Sequence, residues 1–362
     1  MATPRPPATV IAPPERRLPS RGLRAVYGDV FVESLVAEIP PETFTTEALE
    51  QRLRPLYRRL GFKPGWVQAV TGIESRRLWP EGVPHHLGAV SAARRALAEA
   101  GVEAGEVQVV VSCSVFKTRL EPSVACEVQG SLGIGRHCAS FDVGNACLGF
   151  LTGMLQVANQ IELGQIDVGL VVASEDAREI LDATLAHLSS ADADIHAFKN
   201  HLATLTLGSA ASAAVLTSRR RSTGAHRFLG GTTLSAAHHH DLCVGDARGM
   251  VTDSVRLLRE GVALAGQTWS EVRDVLGWEG PEVRTFALHQ VGKAHHEAIV
   301  RNLGLSAELV PQIYPWMGNI GACGVPTTAA LARDQGHYAA GDLVALMGIG
   351  SGINCAMLGV QW

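Results

Sequence analysis

From Gly22 onward, short apolar runs alternate with stretches whose apolar positions recur at helical spacing. Val107 to Val111, Val168 to Ala173, Val283 to Leu288 and Leu343 to Met347 are short and largely apolar, the pattern of strands covered on both faces. Leu49 to Leu60 and Leu87 to Ala100 predict helices, the second because Ala and Leu recur through Ala-Ala-Arg-Arg-Ala-Leu-Ala. Between them in character is Phe141-Asp-Val-Gly-Asn-Ala-Cys147-Leu-Gly-Phe150, where a short apolar strand turns abruptly into a helix of small and apolar residues. The pattern predicts a mixed α/β chain.

A faint echo runs through that pattern. Gly144-Asn-Ala-Cys147 opens one helix and is followed about twenty residues later by Gly164-Gln-Ile-Asp167 and the strand Val-Gly-Leu-Val-Val-Ala. Gly318-Asn-Ile-Gly321 opens another and is followed at similar distance by Gly341-Asp342 and Leu-Val-Ala-Leu-Met. Two βαβ-type halves, 22–218 and 219–362, would leave such an echo, with the boundary near Arg219 to Gly224 where Ser-Arg-Arg-Arg-Ser-Thr-Gly breaks the apolar pattern. Residues 1–21 are proline-rich, carry Arg16-Arg17 and lack the continuous apolar stretch of a secretory signal, so a disordered extension is expected there.

Composition narrows the class. With 362 residues, 46% of them hydrophobic, the chain can bury a large core. A net charge of −4 argues against a nucleic-acid-binding body. The seven cysteines are odd in number and lack metal-site or disulfide-scaffold spacing, which predicts reduced thiols and a cytoplasmic setting. No apolar run approaches the ~20 residues needed to span a bilayer.

Three segments carry candidate chemistry. Cys147 stands where a helix begins, so free N–H groups and the helix dipole should favour thiolate and lower its pKa from the free value of ~8.5. Ala287-Leu288-His289-Gln290 ends an apolar run on an imidazole, and Gly318-Asn319-Ile320-Gly321 puts an amide in a glycine-rich turn before a helix. Cysteine, histidine and asparagine together suit acyl transfer: the imidazole can trade protons or donate to a thioester oxygen, and the amide adds an uncharged donor. Taken singly, Cys147 reads sooner as a small buried hydrophobe and Asn319 sooner as a turn residue, while His289 reads equally as a satisfied buried histidine.

The order and spacing of Cys147, His289 and Asn319 resemble the triad of the thiolase superfamily's ketoacyl-synthase III branch. Thr71-Gly-Ile-Glu-Ser-Arg-Arg77, Glu121-Pro-Ser-Val-Ala-Cys126, Thr204-Leu-Thr-Leu-Gly-Ser-Ala-Ala-Ser212 and Gly348-Ile-Gly-Ser-Gly352 extend the similarity from about Glu33 to Trp362. Leu120-Glu-Pro-Ser, Leu288-His-Gln-Val and the ending through Cys355 are most similar to OleA-type enzymes of long-chain olefin biosynthesis, which join two fatty acyl-CoA thioesters head to head. The resemblance implies a five-layered αβαβα thiolase fold, a homodimer, acyl-CoA substrates and no resident cofactor or metal. It also implies an acyl-Cys147 intermediate, an oxyanion hole from the N–H groups of Cys147 and Ser351, and downstream enzymes of a hydrocarbon or β-lactone pathway.

Glu121 separates the alternatives within that resemblance. A decarboxylating ketoacyl synthase III obtains its carbanion by losing carbon dioxide and usually has an apolar residue at this position. Joining two unactivated chains requires a base at an α-carbon, and a carboxylate shielded from water suits that task. In the resembled enzymes the matching glutamate reaches the partner's site; as a lone residue, Glu121 also reads as a solvated glutamate before a proline-started helix. A decarboxylating synthase on a carrier-bound malonyl thioester and a non-condensing acyl-binding protein remain the competing functions.

Other residues carry less. His238-His239-His240 lacks a second cluster at ligand spacing and reads as a solvated loop. The pairs Arg58-Arg59, Arg76-Arg77 and Arg94-Arg95 read as solvated faces, and His295-His296 as partly exposed helix positions. Gly348-Ile-Gly-Ser-Gly352 cannot be a dinucleotide loop, because Ile353-Asn-Cys-Ala-Met-Leu-Gly-Val reads as a strand rather than a helix.

Overall fold

The computed structural model describes residues 22–224, 226–246, 249–278 and 282–362. The proline-rich segment 1–21 lies outside them. In chain order the strands are β1 (Leu23–Val26), β2 (Val30–Glu38), β3 (Glu42–Thr45), β4 (Ser75–Leu78), β5 (Val109–Ser112), β6 (Ala139–Asp142) and β7 (Val168–Glu175). They continue as β8 (Ala210–Ser218), β9 (His226–Ser235), β10 (Cys243–Asp246), β11 (Gly249–Thr252), β12 (Val283–Leu288), β13 (Leu343–Gly350) and β14 (Asn354–Gln361).

The main sheet runs β12-β13-β14-β9-β2-β8-β7-β5-β6, with β1 added to β9. It consists of two similar halves. On one side β5 and β7 are parallel, β7 and β8 antiparallel, and β8 and β2 antiparallel. On the other, β12 and β13 are parallel, β13 and β14 antiparallel, and β14 and β9 antiparallel. Only Phe31↔Arg227 and Val32↔His226 join β2 to β9 across the boundary. Among the described residues the second half has no counterpart of β6, and β6 is an edge paired only through β5.

Side-chain alternation turns this sheet into five layers, because successive residues of a strand point to opposite faces. On β7, Leu170 and Val172 pack outward with Ala92, Ala93 and Ala96 of helix His86–Glu99, whereas Val171 and Ala173 face inward. On β13, Val344 and Leu346 face inward while Ala345 and Met347 pack with Leu264 and Ile299 of helices Ser254–Leu276 and Lys293–Leu303. The inner faces enclose helices Gly149–Glu162 and Gly324–Asp334, whose Phe150, Met154, Val325 and Ala329 share one buried core. This is the expected αβαβα arrangement, and the two central helices are those of the sequence echo.

One element departs from its pattern. The helix expected over 49–60 is two, Thr46–Arg52 and Arg54–Leu60, meeting at Leu53. Pro55 is the cause: it lacks an N–H and its ring clashes with the preceding turn, so it is accommodated only in the first turn of a new helix. Among the described residues no helix is long and apolar enough to cross a membrane.

Candidate active site

Cys147 lies at the corner between β6 and helix Gly149–Glu162, within a 3₁₀ turn over Ala146–Leu148. Reversing direction in so few residues forces Ala146 to φ +44, a left-handed conformation that a residue with a Cβ rarely adopts. Neighbouring hydrogen bonds hold it there. Asn145 Nδ2 donates to Thr152 Oγ1 at 3.0 Å, and Asn354 Nδ2 donates to Asn145 Oδ1 at 2.9 Å. The second bond ties the nucleophile's turn to the first residue of β14, just beyond Ser351.

The expected lowering of the Cys147 pKa does not occur. Burial pushes the thiol up to about 12, and the nearby Glu175 carboxylate and Cys243 sulfur add to the shift. The helix proper starts two residues later, at Gly149, and enclosure by protein outweighs what its first turn offers. In this state the sulfur is a thiol, and losing its proton has to accompany attack.

His289 follows β12, and its N–H extends the ladder by donating to Met347 O at 2.9 Å. The ring is buried, and Nδ1 has no hydrogen-bond partner among the described residues. A Cβ added at Gly324 would lie 2.7 Å from that atom, so the start of the second central helix must be bare for the imidazole to fit. Burial, with a contribution from His295, pushes its pKa down to about 3. His289 is therefore a neutral donor at physiological pH rather than a group that trades protons there.

Asn319 is held from three sides. Its N–H donates to Thr206 O at 2.8 Å, its carbonyl accepts from Gly208 N at 2.9 Å, and Oδ1 accepts from Gly321 N at 3.1 Å. With Oδ1 engaged, the NH₂ is the end of the amide left for a ligand. The Thr204–Ser212 motif thus holds this turn, pairing Leu207 with Asn319 as a single parallel bridge. The 3₁₀ turn Gly321–Cys323 packs directly on the Cys147 turn, and the end of β13 packs on the latter as well. The Cys147 turn and the turn that follows Asn319 therefore meet where the halves join, with His289 against Gly324 at the start of the next helix.

Ser351 lies in the turn from β13 to β14, and its hydroxyl is 3.6 Å from Cys243 Sγ. Glu121 stands apart. It is exposed, beside Leu120 at 98% exposure, two residues before Ser123, which caps helix Val124–Leu132. Val124 and Ala125 N–H donate to Asp142 at 3.2 and 3.0 Å, and Lys117 Nζ pairs with Asp142 at 2.7 Å, which pins this loop to the end of β6. Within one chain the shielding expected for Glu121 is absent.

Sequence reasoning missed Glu175, Cys243 and His295. Glu175 is the buried end of β7, Cys243 faces Ser351, and the His295 ring centroid is 6.4 Å from that of His289. A carboxylate closing an otherwise apolar strand was the signal available for Glu175. A narrow apolar crevice beside His289, of about 10 Å³, is lined by Ala265, Leu288, His295, Ile299 and Met347. That is room for about one water, so an acyl chain entering there must part the walls.

Two surface readings change. Arg76 is fully buried and donates to Leu205 O at 3.1 Å and Thr46 Oγ1 at 3.3 Å, so it is a structural tie. His296 is buried beside Tyr314 rather than partly exposed. His239 lies 3.5 Å from Glu260, and among the described residues no group of His, Cys, Asp and Glu is arranged to hold a metal.

Comparison with known proteins agrees with this geometry. Residues 76–210 match the family described as thiolase, N-terminal domain, and residues 274–362 match 3-oxoacyl-[acyl-carrier-protein] synthase III, C terminal. An acyl-CoA:acyl-CoA alkyltransferase of Shewanella oneidensis is 41% identical, covering 93% of this chain and 99% of that one. A Cys-to-Ser variant of Xanthomonas campestris OleA, solved with bound lauric acid and lauroyl-CoA, is 39% identical with a TM-score of 0.91, covering 93% of this chain and 100% of that one. A structure from Xanthomonas oryzae described as 3-oxoacyl-(acyl carrier protein) synthase III is similar to the same degree, with 40% identity, a TM-score of 0.91 and coverage of 93% and 100%.

Proposed function

Because the chain belongs to the acyl-CoA:acyl-CoA alkyltransferase family of the thiolase superfamily, we propose that it joins two fatty acyl-CoA thioesters by a Claisen condensation without decarboxylation. The observation that carries the reading is the packing of the Cys147 turn on the turn that follows Asn319, with a buried, neutral His289 against the helix start beside them. Cys147 attacks the first thioester as its proton leaves, CoA departs as the thiol, and an acyl-enzyme remains. The N–H groups of Cys147 and Ser351 donate to the tetrahedral oxyanion, each such donor being worth ~3 kcal/mol of barrier.

The second acyl-CoA loses an α-proton to Glu121 while His289 and Asn319 donate to its enolate oxygen. Neutral donors suit this step, since they stabilise the developing charge without supplying a proton that would quench the carbon nucleophile. The carbanion attacks acyl-Cys147, the carbon–carbon bond forms, and sulfur leaves. Hydrolysis of the remaining thioester then yields a β-keto acid.

Glu121 acts across a homodimer in this reading. Edge strand β6 has one hydrogen-bonding side open, Phe141 is 36% exposed on it, and Leu120 is bare beside Glu121. A second copy laid along β6 would cover these groups, desolvate the carboxylate and bring the 115–122 loop to the partner's Cys147 turn. A reducing cytoplasm suits the chemistry, since the nucleophile and the other six cysteines are free thiols.

The naming of the Xanthomonas oryzae structure favours a second reading, decarboxylating condensation with a malonyl thioester. Mass spectrometry of products from acyl-CoA alone, then with malonyl-carrier added, separates the two. Coupled product from acyl-CoA alone is expected; a strict requirement for the malonyl donor would sink the first reading.

A further inference from the structure

Glu175 is buried at the end of β7 and, among the described residues, has no cationic partner. Its compensation is entirely backbone. Oε1 accepts from Val115 N at 2.8 Å and Ala322 N at 3.2 Å, and Oε2 accepts from Phe116 N at 3.1 Å. The first and third donors open the loop that leads to Glu121. The second lies in the turn whose preceding N–H, on Gly321, holds Asn319 Oδ1. Gly321 has φ +53, and a Cβ there would sit 3.0 Å from Glu175 Cδ, so the turn is built to admit this carboxyl.

A buried charge with no counter-ion costs stability, and an apolar residue of similar volume would avoid that cost. Its presence at the junction of two functional segments therefore asks for another reason. We propose that Glu175 is a positioning residue for carbon–carbon bond formation, clamping to one carboxylate both the Asn319 turn, which serves its own protomer's site, and the loop that presents Glu121 to the partner's site. The inference rests on the condensation reading above. Burial raises Glu175 to about 7 despite the three N–H donors, so the clamp becomes fully ionised and fully accepting only as pH climbs above neutrality. Its negative charge also opposes thiolate at Cys147.

The test uses the full chain, myristoyl-CoA, and the variants Glu175→Gln and Gly321→Ala. A glutamine keeps one acceptor oxygen but turns an NH₂ toward a backbone N–H, while the added methyl at 321 crowds the carboxyl out. Acylation of Cys147, read by intact mass in a single turnover, should stay within about threefold of wild type, because the N–H groups serving that step are not held by Glu175. Formation of coupled product should fall about 10²-fold in kcat with KM little changed, as expected when reacting groups shift by about 1 Å. In Glu175→Gln the pH at which Cys147 becomes alkylated by iodoacetamide should also move down as the neighbouring charge is lost, while a loss confined to coupling in a variant of unaltered Tm is the change that a purely structural role does not produce.

Coupling within threefold of wild type, or equal loss of acylation and coupling, would overturn the proposal. If Glu175→Gln does not fold, Gly321→Ala decides by the same split. If wild type couples only with a malonyl thioester supplied, the condensation reading fails, and the split measured with that donor still decides the role of Glu175.

Discussion

Two corners of this molecule are built alike and used differently. In the first half a 3₁₀ turn at Ala146–Leu148 leads into helix Gly149–Glu162 and then β7, which ends on Glu175; in the second, Gly321–Cys323 leads into Gly324–Asp334 and then β13, which ends on Gly350. Each strand end packs against the other half's turn. Cys147 thus corresponds to Ala322, and Glu175 to Gly350. At Gly350 an added Cβ would lie 3.3 Å from Asn145 O, so the second half contributes bare backbone beside the nucleophile. The first half returns a carboxylate that grips the Asn319 turn. The duplication supplies two mutually facing turns, and in the proposed reaction the side chains divide them into one for holding an acyl group and one for holding an enolate.

The largest break in that comparison is at the nucleophile. Cys147→Ser should lower acyl-enzyme formation by more than about 10⁴-fold, since the remaining groups cannot replace the attacking sulfur. Intact mass after incubation with acyl-CoA reads this directly, and an undiminished adduct would remove Cys147 from its role.

Next in size is Glu121→Ala, which should keep acylation yet lose about 10²- to 10⁴-fold in coupling, the usual contribution of a general base. Because Glu121 is exposed within its own chain, mixing matters more than the single variant. Protomers carrying Cys147→Ser mixed with protomers carrying Glu121→Ala should recover roughly a quarter of wild-type activity, as half of randomly formed dimers are mixed and each has one intact site. No recovery in verified mixed dimers would place the base in cis.

A smaller effect isolates the enolate side. Gly324 has an ordinary helical backbone, φ −57, so Gly324→Ala adds only a methyl, 2.7 Å from His289 Nδ1. Displacing the ring should cost about 10²-fold in coupling while acylation changes little. Equal loss in both steps would mean that His289 serves the first half-reaction too.

How much of this was legible along the chain depends on how local each signal is. β12 occupies 283–288 as the apolar run predicts, and helix His86–Glu99 matches the alanine and leucine spacing to within a residue. The three candidate residues stood out because each sits at a strand or turn boundary with its own glycine signature. Glu175 was not, since its three donors are 59, 60 and 147 residues away and nothing beside it in sequence announces them. Arg76 is the same case, reading as a solvated turn residue until Leu205 and Thr46 close around it.

Two cysteines near helix starts separate local from non-local effects on a thiol, in the mildest of these tests. Cys126, in the first turn of Val124–Leu132, is exposed, and hydrogen bonds from the Ser123 and Ser140 side chains lower its pKa. Cys147 faces a comparable helix start, yet burial and Glu175 carry it the other way, to about 12. A thiol with a raised pKa stays protonated as pH climbs through the ordinary range, so alkylation of Cys147 by iodoacetamide without acyl-CoA should keep rising about tenfold per pH unit past pH 9. Alkylation of Cys126 should level off at a lower pH than that of Cys147. Peptide mapping after timed labelling from pH 6 to 10 distinguishes the two sites. A plateau for Cys147 near pH 7 would mean that the resting enzyme already holds a thiolate, and that the helix start, not enclosure by the fold, governs the nucleophile.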